Sequence, residues 1–438
     1  MLETLRKAFK VVDVRNKIIF TFLMLIVIRI GSQLPTPGVD PTYIQNFFES
    51  QPGDAFNFFN AFTGGSFTSM SVFALSITPY ITSSIIMQLL TIVFPKLEEM
   101  QKDGEDGRKK IATITRYVTV GLALVESTAL AVGFGRQGLL VEYNFVNAVV
   151  VVLTLTAGSA FLMWIGERIT ERGVGNGISI VLLVNIVSRI PSDFAMLFEQ
   201  FVFGKSLAKA LLAIVIIVAV VIAMVVFVII LQDGQRRIPV QYAQKMQGRK
   251  TVGGQSTHIP LKVNTAGVIP IIFASSLMQF PVVIAAFMGK GQGTGIGSEI
   301  LKGLTSSNWL NPKALYYSWG LLLYIALVIF FAYFYTSITF NPLEIANNMK
   351  KRGGFVPGIR PGKPTVDFIT NILNNIVFIG AVGLVIIQII PFFFSGVFGA
   401  TVSFGGTSLI IIIGVVLESI KQIESQLLVR NYKGFLNK

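Results

Sequence analysis

Few side chains in this sequence are of a kind that does covalent chemistry. The one histidine, His258, stands in "GGQSTHIPLK" without ligand-like neighbours, so neither a histidine metal site nor a serine–histidine pair finds its partners. Cysteine is absent, which removes disulfides, thiolate nucleophiles and thiolate metal sites. "GKS" at Gly204 to Ser206 has Glu199 where a phosphate loop needs its first glycine. "GVGNG" at Gly173 to Gly177 joins two apolar runs instead of a strand and a helix. No enzymatic activity, metal or cofactor is therefore expected. Ionisable residues inside apolar runs would point to ion-coupled transport, and they are scarce: Arg29 and Glu126 lie within such runs, Glu167 and Glu418 near their ends.

The remaining candidates are apolar or neutral. Ile77 and Ile81 are four apart, as are Ile178 and Leu182, so each pair shares a helix face. In a membrane such pairs usually face lipid or a neighbouring helix, so the spacing permits a pore lining without requiring one. Pro79 and Pro270 are expected to interrupt helices, releasing the carbonyls of Leu75 and Ala266. Beside them lie Thr78, Thr82, Ser83, Ser84 and Gln88 in one run and Ser275, Ser276 and Gln279 in the other. Two bent, polar-faced helices suit a seam that opens; ordinary Ser/Thr packing between helices accounts for the same residues equally well.

These residues are carried by a chain of 438 residues that is 53% hydrophobic, 13% charged and has a mean hydropathy of +0.69. Soluble domains carry about 25% charge, so an integral membrane protein is expected. Ten spans are expected near 18–34, 70–93, 112–133, 146–166, 176–190, 207–231, 265–288, 314–337, 369–392 and 405–428. Leu2 to Lys17 is basic and amphipathic, unlike a cleaved leader. With the N-terminus cytoplasmic, 28 of the 36 Lys and Arg fall on the cytoplasmic side and 7 outside, so the net charge of +14 is mainly an orientation signal. Six basic residues in one cytoplasmic loop exceed what orientation requires, which makes two loops candidate docking sites.

Ten spans with both ends inside divide into two five-helix halves of opposite sense, 1–190 and 191–438, the arithmetic of an inverted repeat. Two cytoplasmic loops stand out in the second half. Residues 232–262 carry a β-like alternation in "RRIPVQYAQ" that predicts a protruding hairpin, and 339–365 are rich in Gly and Pro and read as a loop. In the first half, Phe56, Asn57, Phe58, Phe59, Asn60, Ala61, Phe62 and Thr63 form a greasy segment stopped by Gly64 and Gly65, far too short to span.

Seven segments then resemble the SecY family, the central subunit of bacterial protein translocases: "FNAFTGGSFTSMSVFALSITPYITSSIIMQLL", "GEDGRKKIATITRY", "FLMWIGERITERGVGNGISI", "GQRRIPVQYAQK", "QSTHIPLKVNTAGVIPIIFASS", "FNPLEIANNMKKRGGFVPGIRPGKPT" and "FGGTSLII", a variant of "FGGTSLLI". They occur in the family's order and cover all ten spans. The tail before Arg15 and the region from Gly289 to Asn311 carry little of the resemblance.

The resemblance implies an all-α channel for unfolded polypeptides, two inverted five-helix halves around a central pore, opening sideways for signal sequences and membrane segments. Its waist would be a ring of Ile77, Ile81, Ile178, Leu182, Ile272 and Ile411, with Leu182 replacing the family's usual isoleucine. Residues 56–65 would be the plug. The lateral gate would lie between the second and third spans and the seventh and eighth, with Thr78, Thr82, Gln88, Ser275 and Gln279 as candidates. Arg236, Arg237, Arg249, Lys250 and Arg360 would dock the ribosome and the SecA ATPase, whose phosphate and acidic surfaces suit guanidinium forks. SecE and SecG would be the companion subunits, membrane lipids the surroundings, and the bacterial plasma membrane the location. A small-molecule ion-coupled secondary transporter is the rival reading, since it shares ten spans, inverted halves and broken helices. A purely structural scaffold is a third, but it would need neither polar-faced helices nor loop arginines.

Overall fold

The computed structural model of the chain describes residues 6, 8–40, 42–44, 62–242, 245–247, 250–252, 256–287, 295–312, 314–399 and 405–436. Thirteen α-helices of eight or more residues are described: α1 (Val12–Gly31), α2 (Thr78–Val93), α3 (Pro95–Lys102), α4 (Glu105–Phe134), α5 (Phe145–Arg172), α6 (Gly177–Phe201), α7 (Leu207–Asp233), α8 (Ile269–Phe287), α9 (Ile296–Leu304), α10 (Trp319–Thr339), α11 (Pro342–Lys351), α12 (Lys363–Phe398) and α13 (Gly406–Leu436). A helix occupies each of the ten apolar runs. Among the described residues, seven helices are long and apolar enough to cross a membrane, or eight if α2 and α3, bent by 103°, form one broken span. α1 carries the charged residues Asp13, Arg15, Lys17 and Arg29, and the apolar part of α8 runs from Ile269 to Val282.

Helix starts differ from expectation at both prolines. Pro79 and Pro270 each stand second in their helix, so they begin α2 and α8 instead of interrupting them. The reason is local: a proline's fixed φ suits the first turn, where its missing N–H has no partner to lose. Met70 to Ile77, expected to be helical, consists of turns apart from a bridge between Ser71 and Pro35. The prolines that do lie inside helices are Pro191 in α6, Pro281 in α8 and Pro391 in α12. α6 accordingly runs past the expected division at residue 190 and ends at Phe201.

The packing sorts into two bodies. α1, α2, α4, α5 and α6 pack on one another, as do α7, α8, α10, α12 and α13. The bodies are joined chiefly where α6 meets α13, and α2 and α8 do not pack extensively on each other. α7 lies outermost: its apolar window has mean hydropathy 3.8 and only 17% of it is buried.

The two polar loops of the second body fold together. β1 (Gln235–Tyr242) pairs antiparallel with β4 (Ser256–Lys262) in register Ile238↔Ile259, and its far edge takes β5 (Gly354–Phe355). β2 (Lys245–Gln247) and β3 (Lys250–Val252) form a separate short ladder beyond it. Ile238, Val240 and Leu261 bury one face against Met349 of α11, Val356, and Ile369 and Ile376 of α12. The loop reading of 339–365 therefore misses α11. Asn341 caps it, its Oδ1 accepting from Leu343 N at 3.1 Å and Glu344 N at 3.3 Å, with Pro342 in the first turn and Lys350 and Lys351 in the last.

Candidate functional site

An apolar cluster forms where the two bodies meet. It contains Ile77, Ile81, Ile178, Leu182 and Ile411, five of the six candidate ring residues, together with Phe62, Phe73, Ile186 and Val415. Ile272 is not in it. One turn before Ile272, Val268 packs against this cluster and against the core of the second body, and its carbonyl accepts from Ile272 N at 3.2 Å. Ile77 is fully buried, Leu182 and Ile411 nearly so, and Ile81, Ile178 and Ile272 are half-buried.

Polar anchors outside the apolar faces fix where those side chains stand. The loop Gly173–Gly177, which fails as a nucleotide motif, is where three helices hand their side chains to one backbone. Val174 N donates to Thr21 Oγ1 of α1 at 3.1 Å, Gly177 N to Thr170 Oγ1 of α5 at 2.8 Å, and Gly175 N to Gln422 Oε1 of α13. A Cβ on Gly177 would lie 1.8 Å from the Gly166 carbonyl, so glycine is required for this approach. Asn176 then caps α6, its Oδ1 accepting from Ile178 N at 3.1 Å. Ile178 and, one turn later, Leu182 are thereby set. At the other side Gln388 of α12 holds the start of α13: Thr407 N donates to its Oε1 at 3.2 Å and its Nε2 donates to Thr407 Oγ1. Ile411 follows one turn beyond Thr407.

Of the plug candidates, Phe56, Asn57, Phe58, Phe59, Asn60 and Ala61 lie outside the described residues. Phe62 and Thr63 are buried, and Gly64 and Gly65 turn the chain with φ of +66° and +88°. A Cβ on Gly64 would sit 2.8 Å from the Asn185 carbonyl. Asn185, buried in α6, donates through Nδ2 to the Phe62 carbonyl at 3.3 Å and to Ser76 Oγ at 2.9 Å. Ser76 holds a left-handed φ of +52°, a strained conformation for a non-glycine residue, directly before Ile77. One turn along α6, Ser188 Oγ donates to the Asn185 carbonyl at 2.7 Å, approaches the Gly64 carbonyl at 3.4 Å and accepts from Arg29 Nη1 at 3.0 Å. Asn185 and Ser188 escape a search for ionisable or nucleophilic groups. Their signal is an amide and a hydroxyl in the otherwise apolar run "IVLLVNIVS" (Ile180 to Ser188).

The gate candidates lie on α2 and α8. Thr78 and Thr82 are adjacent on α2, Thr82 Oγ1 donating to the Thr78 carbonyl at 3.1 Å, while Gln88 is exposed. Ser275 and Gln279 are half-buried on α8, and the Gln279 Oε1 atom is buried without a hydrogen-bond partner among the described residues. Glu167 is paired with Arg116 at 2.6 Å, which joins α5 to α4.

The docking candidates converge in part. Arg236 and Arg237 are exposed on β1, and exposed Arg360 follows β5, whose pairing with β1 puts both loops on one platform. The Arg360 carbonyl accepts from Thr365 Oγ1 at 2.8 Å, which stiffens its approach to α12. Lys250 opens β3, and Arg249 lies outside the described residues. His258 is exposed on β4, and no group of metal-ligating side chains forms among the described residues.

Comparison with known proteins bears on this arrangement directly. The family model described as SecY matches residues 71–420. The protein translocase subunit SecY of Corynebacterium glutamicum is 42% identical over 99% of this chain and all of its own. Among solved structures, one described as a protein conducting channel superposes with a TM-score of 0.63 at 17% identity, covering 94% of this chain and 92% of that one. Sec61 in the canine ribosome-channel complex of the endoplasmic reticulum does so with a TM-score of 0.60 at 18% identity, with the same coverage. The multi-pass helical architecture is thus shared with known channels, and on the family match and the full-length relative together, the chain belongs to the SecY family.

Proposed function

We propose that the chain is the channel subunit of a protein translocase, passing unfolded secretory polypeptides across the membrane and releasing hydrophobic segments sideways into it. The observation that carries this reading is the apolar cluster in which Ile77, Ile81, Ile178, Leu182 and Ile411 meet Phe62 from the end of the plug segment. A constriction of this kind dewets against ions yet binds no passing side chain strongly, so any sequence passes without being trapped. Ile272, one turn beyond Val268, completes the ring from the second body.

Residues 56–65 act as the stopper, hinged at Gly64 and Gly65. Withdrawing the buried Phe62 into water costs about 1.5–3 kcal/mol, a barrier that an entering polypeptide is able to offset. The lack of extensive packing between α2 and α8 favours a lateral gate between these helices, with Thr78, Thr82, Gln88, Ser275 and Gln279 on them. On the joined platform of β1, β5 and α11, Arg236, Arg237 and Arg360 engage the ribosome or the SecA motor, with Arg249 and Lys250 beyond; these partners supply the energy. SecE and SecG complete the complex in the bacterial plasma membrane, with both termini cytoplasmic and the halves 1–190 and 191–438 related by inversion.

The test is a plug deletion in the reconstituted complex. Removing Asn57 to Thr63 should leave a channel that still exports a signal-bearing precursor when SecA and ATP are supplied, yet leaks ions at rest. A deleted channel as tight as the parent would overturn the stopper, and one bound by neither SecA nor SecE would overturn the translocase reading.

A further inference from the structure

Tyr324 of α10 carries a ring and a hydroxyl in very different circumstances. The ring belongs to the core of the second body, with its centroid 5.5 Å from that of Trp309 and edge-on to Phe392 at 5.7 Å. Phe392 stands one turn beyond Gln388 on α12, and the hydroxyl faces Gln388 on that helix and Ser275 on α8. The residue is only 2% exposed, yet Oη makes no hydrogen bond among the described residues. Buried hydroxyls are normally paired, because leaving one unpaired in apolar surroundings is costly.

α8 itself holds a second such atom. Gln279 lies one turn beyond Ser275, and its Oε1 is buried without a partner among the described residues. At two successive turns, then, α8 brings an unpaired polar atom into the arrangement: its own at Gln279 and that of Tyr324 at Ser275. Gln388 is already engaged. Its Oε1 accepts from Thr407 N at 3.2 Å and its Nε2 donates to Thr407 Oγ1, while a Cβ on Gly406 would lie 2.6 Å from that Oε1. The amide is therefore held against the start of α13, which leaves Ser275, on a helix of gate candidates, as the partner for Oη.

We infer that Tyr324 is a positioning residue for the open gate: once α8 shifts, the Tyr324 hydroxyl donates to Ser275 Oγ and holds the helix in its displaced place. The inference rests on the reading of this chain as a translocase channel with α8 at its gate. A bond made only in the displaced arrangement stabilises that arrangement alone, so it eases opening without loosening the resting channel. Tyrosine suits the task, because Trp309 and Phe392 fix its ring while α8 moves. The serine hydroxyl then rotates to meet it.

The experiment compares Tyr324→Phe, Ser275→Ala and the double variant in the reconstituted complex, reading thermal unfolding and the SecA-driven export of a signal-bearing precursor. Tyr324→Phe should unfold at or above the parental temperature, because the hydroxyl it lacks is unpaired at rest. Its export should fall about fivefold, the worth of one hydrogen bond. Ser275→Ala should lose as much and the double variant no more than either single, since both remove the same bond. Ser275→Thr, which keeps a hydroxyl, should recover what alanine loses. Earlier unfolding of Tyr324→Phe, parental export by it, or losses that add in the double variant would each overturn the inference. A parent complex that exports nothing would instead overturn the translocase reading, and the inference with it.

Discussion

Asn185 and Phe62 are joined by a hydrogen bond of 3.3 Å from the Asn185 side-chain amide to the Phe62 carbonyl, and the same amide reaches Ser76 Oγ at 2.9 Å. One buried side chain thus ties the end of the plug segment to the residue that precedes Ile77. In the proposed reading, withdrawal of the plug would break the first bond and free the amide from the second. The proposed stopper and the proposed ring would thereby be linked through α6.

Replacing Asn185 with Leu should loosen the stopper. The Phe62 carbonyl and the Ser76 hydroxyl lose a donor in a buried site, a cost of about 1–3 kcal/mol to the closed arrangement. Single-channel recordings should show resting openings at least fivefold more frequent than in the parent, with precursor export retained. Unchanged resting current would mean that the amide serves packing alone.

The ring makes a graded prediction. Ile81, Ile178 and Ile272 changed together to Asn should raise resting ion conductance, because polar side chains hold water where the isoleucines do not. Of the single changes, Ile178→Asn should act more strongly than Ile272→Asn, since Ile178 packs in the closed cluster and Ile272 does not. Equal currents from the two would contradict the arrangement.

Thr170→Val tests positioning. Thr170 Oγ1 accepts from Gly177 N, and its loss leaves that N–H without the acceptor that seats α6. Thermal stability of the purified protein should fall by an amount corresponding to about 1–2 kcal/mol, with resting leak rising in parallel. Thr170→Ser keeps the acceptor and should behave as the parent; a serine variant as leaky as the valine one would rule out the hydrogen bond as the cause.

Charge reversal at Arg360 separates docking from orientation. Arg360→Glu should impair SecA-driven export severalfold while the complex assembles and inserts normally, because the side chain is exposed and only its carbonyl serves the fold. Export at the parental rate would remove Arg360 from the docking surface.

A membrane protein's apolar runs are legible in sequence because each must match a hydrocarbon thickness by itself, and every one of the ten contains a helix. The family was legible too, because its loop motifs hold residues with fixed local duties, such as the Asn176 cap and the Gly177 close approach. Local chemistry was misjudged where two outcomes shared one residue. Pro79 and Pro270 begin helices instead of bending them, and "FNPLEIANNMKK" carries a capped helix, α11, that its glycine-rich continuation obscured.

What sequence by itself determined is therefore which segments enter the membrane and which family's motifs they carry. Only tertiary structure decided which isoleucines meet one another. In lipid, an apolar side chain is accommodated as well facing hydrocarbon as facing a neighbouring helix, so composition does not distinguish Ile178, packed in the cluster, from Ile272, outside it. The Asn185 amide was visible in the sequence, but its two partners lie 123 and 109 residues away along the chain. Contacts at that range are set by how the helices pack, and no local pattern encodes them.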